Sequence, residues 1–297
     1  MTVAALLLVL SGCGDGSDPR PPSPTAQSVV DSPFRCPDAH AEPINVVDHG
    51  ADTLPSGARA ALLCLHDNNV PWVPPRGVLT AELGRVVRSV NAQPVHDPSS
   101  DVGCGGVGAP AWSMVFRYAD GTRTITGDNG GCWDLLVGST EREGSKAVFE
   151  TYLHALVRQR THQRPPTFRG SAPRCPTRPR LDAFGPVANA TTARFGVLCV
   201  GQGRATRQVP LTTAQLAVLR ADFATAPQRR TDADAMSLCP ADPQPLLVVR
   251  GLDAWQEPFQ VYVECGAYRI LRPAAVHYSF ARLLPRTAQL LTQLQRR

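Results

Sequence analysis

Eight of the nine cysteines in this chain of 297 residues form two series with almost the same spacing. The intervals are 28, 40 and 28 residues in the first series and 24, 40 and 26 in the second. The first series is Cys36, Cys64, Cys104 and Cys132, and the second is Cys175, Cys199, Cys239 and Cys265. Self-similarity at an offset of about 135 residues indicates that one folding unit occurs twice. An even number of cysteines outside the cytoplasm is typical of a disulfide framework.

The residues that flank the cysteines are also similar in the two series. Three short motifs of the first series return in the second: Arg35-Cys36-Pro37 as Arg174-Cys175-Pro176, Leu63-Cys64-Leu65 as Leu198-Cys199-Val200, and Leu79-Thr80 as Leu211-Thr212. We therefore predict two tandem homologous units, residues 35–160 and 174–297. The linker between them, residues 161–173, contains two consecutive prolines.

The ninth cysteine follows a short apolar segment. Residues 3–10 (VAALLLVL) are too few to span a bilayer. The sequence Leu10-Ser11-Gly12-Cys13 resembles the lipobox of bacterial lipoproteins. The resemblance implies a signal peptide at residues 1–12, cleavage before Cys13 and a diacylglyceryl group on the Cys13 sulfur. Residues 13–34, which are polar and rich in proline, are the expected spacer. The expected location is the outer face of the cell membrane, with the bilayer as partner through Cys13.

Each unit has the residue pattern of an α+β fold, an antiparallel sheet with two helices packed on one face. A strand carries the second cysteine, at residues 60–65 and 195–200, and a helix follows it. A hairpin, a short strand and a final amphipathic helix complete the unit. The hairpin of the first unit turns at Asp120-Gly121, and that of the second has a longer loop, residues 251–258.

Residue types that are typical of a helix N-terminus predict where three helices begin. In the first unit, apolar residues recur at helical spacing from Leu79 to Val90, and Thr80 is the expected N-cap. In the second unit, Thr212 and Gln215 have the spacing of a capping box. We expect Pro285 in the first turn of the last helix, where its missing N–H group removes no hydrogen bond.

Four cysteines in each unit allow three disulfide pairings. The hairpin lies between the third and fourth cysteines and should bring their chain segments together. We therefore predict the bonds Cys36–Cys64, Cys104–Cys132, Cys175–Cys199 and Cys239–Cys265. The alternative joins Cys64 to Cys104 and Cys199 to Cys239, and the identical 40-residue intervals favour it.

Metal and catalytic motifs are absent from the sequence. The cysteines lack the Cys-x₂₋₄-Cys spacing of zinc ligands, and with eight of them paired no thiolate nucleophile remains. Residues 103–108 (GCGGVG) precede a strand rather than a helix, which favours a flexible loop over a phosphate-binding loop. His66-Asp67 and His96-Asp97 are sequence neighbours, whose side chains point apart in extended chain, so we interpret them as surface residues. We expect no metal, no cofactor and no catalytic residue.

The net charge of +5 comes almost entirely from arginine, since Lys146 is the only lysine. The chain has neither a basic stripe nor a recognition motif, and we therefore expect no nucleic-acid partner. Residues 158–180 contain seven arginines and no acid. A solvated linker is the favoured interpretation, and contact with anionic headgroups or an anionic wall polymer is the alternative. Trp72, among the prolines of residues 67–76, is either a binding tip or packed against its own unit.

The order of motifs resembles a group of uncharacterised actinobacterial proteins that are secreted or lipid-anchored. The shared order is cysteine, Leu-Cys strand, Leu-Thr helix, cysteine, Tyr-x-Asp-Gly hairpin and Gly-Cys strand. The resemblance covers residues 35–158 and, more loosely, 174–295, and it implies location and fold type only. Because the two units differ in their loops and share no acid–base set, we predict a non-catalytic binding or scaffolding module at the cell envelope. Its partner would be an envelope protein or wall polymer. The alternative is a cell-envelope hydrolase of unrecognised type.

Overall fold

The computed structural model describes residues 34–36, 52–65, 72–97, 111–128, 135–168, 173–175, 185–202, 205–226, 247–264, 266–271 and 278–296. All of them belong to one compact unit, Phe34–Arg297. They form two antiparallel sheets and four α-helices, which confirms the predicted α+β class.

The first sheet has five strands that lie side by side in chain order. They are β1 (Ala60–Leu65), β2 (Ala111–Arg117), β3 (Thr122–Asp128), β4 (Leu135–Val137) and β5 (Thr140–Arg142). Helix α1 (Leu83–Asn91) follows β1, and helix α2 (Ser145–Thr161) follows β5. Side chains alternate between the two faces of a strand, so Leu63 and Met114 point to the same face. There they share one buried core with Val86 of α1 and Tyr152 of α2.

The second sheet has six strands in the order β7-β6-β8-β9-β10-β11. Their bounds are β6 (Phe195–Gln202), β7 (Ala205–Pro210), β8 (Leu247–Leu252), β9 (Pro258–Glu264), β10 (Ala267–Leu271) and β11 (Tyr278–Arg282). A 3₁₀-helix (Ala190–Thr192) precedes the sheet, α3 (Thr213–Thr225) follows β7, and α4 (Pro285–Gln295) follows β11. Leu198 and Val261 of the sheet share a second core with Phe223 of α3 and Leu291 of α4.

Two of the predicted helix starts are confirmed. The Thr212 hydroxyl accepts a hydrogen bond from the Gln215 N–H group at 3.3 Å, and the Gln215 Oε1 atom accepts one from the Thr212 N–H group at 2.8 Å. These two bonds form the predicted capping box of α3. Pro285 occupies the first turn of α4, as predicted.

The prediction that Thr80 is an N-cap was wrong. Helix α1 begins at Leu83, and its N-cap position is Glu82, which has a left-handed φ of 55° and makes no capping bond through its side chain. Leu79 instead pairs with Ala61 at the edge of β1, through N–H···O bonds of 2.8 and 2.9 Å. This pairing keeps the chain extended at Leu79 and delays the start of the helix.

Strands β5, β7 and β11 were not predicted from the sequence. β5 and its neighbour β4 have only three residues each, and β7 (ATRQVP) has no alternating apolar pattern. These segments are strands because a neighbouring strand offers a complete row of backbone partners, and their own side chains give a weak signal.

Candidate functional site

The two described disulfides join the cysteines that we predicted. Cys36 bonds to Cys64 with a Cα separation of 5.5 Å, and Cys175 bonds to Cys199 with a Cα separation of 5.6 Å. The alternative pairs Cys64–Cys104 and Cys199–Cys239 are therefore wrong. Cys104, Cys132, Cys239 and Cys265 lie outside the described residues.

Other residues singled out in the sequence have structural roles or fall outside the described ranges. Cys13, residues 103–108 and the His66-Asp67 pair lie outside them. His96 donates its backbone N–H to the Glu141 carbonyl at 2.9 Å. Trp72 is buried in the first core, with its ring 5.8 Å from that of Phe149, so it packs against its own unit.

A polar cluster with a buried ion pair joins the two halves of the described chain, where the end of α2 meets the β8–β9 loop. It consists of the buried side chains of Arg160, Asp253 and Glu257 and the backbone of Arg76, whose side chain is exposed, and we call it the inter-sheet cluster. Arg160 belongs to the last turn of α2 in the first half. Asp253 and Glu257 lie in the loop between β8 and β9 in the second half.

The periodicity of α2 places Arg160 between the sheets. Tyr152 and Leu156 on the same helix are buried in the first core, and Arg160 follows Leu156 at a spacing of four residues. Arg160 Nη2 donates to Glu257 Oε1 at 2.6 Å and also to the Arg76 carbonyl oxygen. The two side chains of this ion pair are only 6% and 0% exposed. The guanidinium carbon also lies 5.0 Å from the ring centre of Trp255.

Asp253 organises the β8–β9 loop from within. Its Oδ1 atom accepts hydrogen bonds from the N–H groups of Trp255 and Glu257, at 2.8 and 2.9 Å. Its Oδ2 atom accepts one from the Asn189 N–H group at 3.0 Å. Gln256 has a left-handed φ of 64°, which closes the turn. Together these contacts fix the direction in which Glu257 points.

Gln159, the residue before Arg160, holds the backbone of residues 78–81 against the end of α2. Gln159 Oε1 accepts from the N–H groups of Thr80 and Ala81, at 2.7 and 2.9 Å, and Nε2 donates to the Val78 carbonyl at 2.9 Å. Shortly before this segment, the Arg76 N–H group donates to Glu257 Oε1 at 2.6 Å. One helix end therefore positions both donors that meet Glu257.

Burial has a large effect on the electrostatics of the cluster. It raises the pKa of Glu257 to about 7, although the Arg160 charge and the hydrogen bonds lower that pKa. Burial also raises the pKa of the Asp253 carboxyl, against the effect of its three backbone donors. Glu257 Oε2 and Arg160 Nη1 are buried without a hydrogen-bond partner in the described structure. The cluster therefore places an acid and a base in direct contact where bulk solvent does not reach them.

The geometry suits a structural contact better than a reaction. Glu257 has no exposed surface, so a substrate in solution does not reach its carboxylate. Within the described ranges, no group of three or more His, Cys, Asp or Glu residues could hold a metal ion. In the same residues, no helix is both long enough and apolar enough to cross a bilayer.

The interpretation of residues 158–180 as a solvated linker was wrong for its first part. Arg160 is buried in the inter-sheet cluster, and Arg158 makes two 2.7 Å bonds to the Glu82 carboxylate. Beyond α2, the Thr167 carbonyl accepts from Gln256 Nε2 at 3.3 Å, and the Phe168 ring stacks on Phe195 at 4.0 Å. The chain between the sheets is therefore attached to the second half at two described points.

Sequence reasoning missed Asp253, Glu257 and Gln159. The sequence did indicate the position of Gln159. The apolar residues at 149, 152, 153 and 156 recur at helical spacing, which places positions 159 and 160 on the same, buried face of α2. A long polar side chain on the buried face of a helix requires a buried partner. Nothing in the sequence identifies that partner as a carboxylate 97 residues further along the chain.

The chain as a whole matches no protein-family model, no curated protein and no solved structure.

Proposed function

We propose that the protein is a lipid-anchored, extracytoplasmic binding or scaffolding module built from two tandem homologous units. The observation that carries the proposal is the pair of disulfides, Cys36–Cys64 and Cys175–Cys199. Each ties the start of its half to the first strand of its sheet. Structural disulfides persist in oxidising compartments, which agrees with export through a lipobox at Cys13.

The strand registers support the duplication. β1 pairs with β2 from Ala60↔Arg117 onwards, and β6 pairs with β8 from Phe195↔Leu252 onwards. Adding 135 to both numbers of each pair in the first register gives a pair in the second. The order β1-β2-β3-β4-β5 matches β6-β8-β9-β10-β11, with β7 as an additional edge strand.

A hydrogen bond at the sheet edge repeats in the same way. Leu79 donates its N–H to the Ala61 carbonyl at 2.9 Å, and Leu211 donates its N–H to the Gly196 carbonyl at 3.0 Å. Ala61 and Gly196 are equivalent under the same offset of 135. The repeated Leu-Thr motif thus has one backbone role in both halves, which favours descent from a common unit.

The hairpin loops favour recognition over catalysis. The β2–β3 turn has an exposed tip at Ala119 and Asp120, whereas the equivalent β8–β9 loop binds α2 through Glu257. The β8–β9 loop thus makes a specific contact with a surface outside its own sheet, the end of α2. Of its two buried carboxylates, Glu257 makes that contact and Asp253 holds the loop in shape.

The anchor is tested with Cys13→Ser in the full chain expressed in a bacterium that processes lipoproteins. We expect the wild type in the membrane fraction with a lipid mass on an N-terminal Cys13, and the variant in the soluble fraction or unprocessed. Ser17→Ala, in the same spacer, should behave as the wild type. Intact-mass analysis that finds an unmodified Cys13 in the wild type would contradict the proposal.

Binding and hydrolysis are separated by incubating the purified protein with isolated cell envelopes. A binding module should sediment with the envelopes in a saturable manner and release no soluble fragments over time. Fragments that accumulate in proportion to protein and time would instead establish the hydrolase alternative. Bovine serum albumin at the same concentration measures nonspecific sedimentation.

A further inference from the structure

Glu257 is buried where the β8–β9 loop meets the end of α2, and its two carboxylate oxygens differ in their environment. Oε1 accepts from the Arg76 N–H group and from Arg160 Nη2, both in the first half. Oε2 is buried and has no hydrogen-bond partner in the described structure. An ionised carboxylate in this position places charge on an oxygen that bulk solvent does not reach and that has no donor among the described residues. The enclosure therefore favours the neutral form.

Arg160 does not depend on the charge of Glu257 alone. It also donates to the Arg76 carbonyl and lies over the ring of Trp255. The carbonyl oxygen of a protonated carboxyl group still accepts a hydrogen bond. A neutral Glu257 therefore leaves Arg160 with two acceptors and an aromatic face, and the contact between the halves persists.

The charged and titratable groups that face Glu257 come from three elements. Helix α2 supplies Arg160 and Tyr152, the β8–β9 loop supplies Asp253, and the segment before α1 supplies Arg76. The Arg76 guanidinium is turned toward the Gln256 side chain, 3.5 Å from its Oε1 atom. Arg160 lowers the pKa of Glu257, whereas burial, the largest effect, and the Asp253 charge raise it.

We propose that the inter-sheet cluster is a pH-dependent latch, which holds the β8–β9 loop on α2 while Glu257 is neutral and weakens as Glu257 ionises. Release of the loop would expose the carboxyl group to water and replace two donors by solvent. The loop would keep its own shape, because Asp253 binds it from within.

The sign of the effect follows from proton linkage. In the closed form the pKa of Glu257 is about 7, and in the released form it returns toward the ordinary pKa of 4.5. The closed form therefore binds the proton more tightly, so its advantage is complete below about pH 4.5 and is lost as the pH rises through about 7. For these two pKa values, the ratio of closed to released molecules falls about 75-fold between pH 5 and pH 9.

Hydrogen exchange of the Arg76 backbone amide measures the latch directly, because this amide donates to Glu257. The full chain with its disulfides intact is studied from pH 5 to pH 9, and rates are corrected for base catalysis. We expect the protection of this amide to fall by up to about 75-fold, with most of the fall between pH 5 and pH 7. The amide of Met114 in β2 should keep its protection, which shows that the opening is local.

The decisive variant is Glu257→Gln, which has the same shape and no charge at any pH. It should keep the Arg76 amide protected across the whole range. Glu82→Gln is the matched control, because Glu82 binds Arg158 on the same helix but at the surface. This control should leave the transition of the Arg76 amide unchanged.

Three results would overturn the proposal: a wild type whose corrected protection does not change with pH, a transition that persists in Glu257→Gln, or a loss of protection on acidification. Circular dichroism checks that Glu257→Gln is folded. If it is not, carbon-13 NMR of the Glu257 carboxyl group in the wild type decides the question. A carboxyl group that titrates near 4.5 refutes the latch, and one that titrates near 7 supports it.

Discussion

Gly127 in β3 lies opposite Trp112 in β2, and the absence of a side chain at Gly127 makes room for the indole ring. A Cβ atom added at Gly127 would lie 2.2 Å from Trp112 Cζ2. Trp112 is fully buried, so its ring has nowhere to move. At the scale of single residues, the first core therefore depends on a glycine as much as on its aromatic side chains.

We expect Gly127→Ala to destabilise the protein by about 2–3 kcal/mol, since an extra atom in a well-packed core forces side chains out of their rotamers. Chemical denaturation followed by circular dichroism measures the change. Gly84→Ala is the control, because Gly84 lies on the exposed face of α1 and its added Cβ would meet only the Arg88 side chain, at 3.4 Å. That variant should be more stable than the wild type by about 0.5 kcal/mol. Equal stability of the Gly127→Ala variant and the wild type would refute the packing argument.

At the scale of elements, the sequence was informative wherever a local pattern decides the structure. The apolar run of β1 and the capping box of α3 were predicted because propensity and short-range hydrogen bonds determine them. Thr80 is not an N-cap because the preceding residue, Leu79, forms backbone hydrogen bonds with Ala61 at the edge of β1. This contact joins residues that are not neighbours in the sequence. β7 and β11 were missed although each pairs with the strand that directly precedes it, because their own side chains give a weak signal. The inter-sheet cluster could not be predicted, since its ion pair joins residues that lie 97 positions apart in the sequence.

At the scale of the whole molecule, one kind of contact stabilises each half and another kind attaches the two halves to each other. Within each half, a disulfide holds the first residues against the sheet. Between the halves, Arg160 and Glu257 form a buried ion pair and Phe168 stacks on Phe195. Removal of the whole Glu257 side chain would leave the Arg160 charge buried without this acceptor, whereas a protonated glutamate or a glutamine retains it.

The bridge in the second half can be removed with the pair of substitutions Cys175→Ser and Cys199→Ser. It closes a separation of 24 residues, and in the chain-entropy model its loss costs about 3 kcal/mol. We expect the midpoint of thermal unfolding to fall accordingly under non-reducing conditions, as calorimetry would measure. The wild type under reducing conditions should show at least this loss. A double variant with an unchanged midpoint would contradict a stabilising role for the bridge.

The bond between Cys36 and Cys64 also determines how the molecule carries mechanical load. Tension applied to the chain before Cys36 passes through the covalent bridge into β1 and bypasses the residues between the two cysteines, a separation of 28. β1 is paired along its length with β2, so the load enters a strand that a row of backbone hydrogen bonds holds in the sheet. A protein tethered by its N-terminus to a membrane in motion would be protected by this arrangement from being unravelled from its first residues.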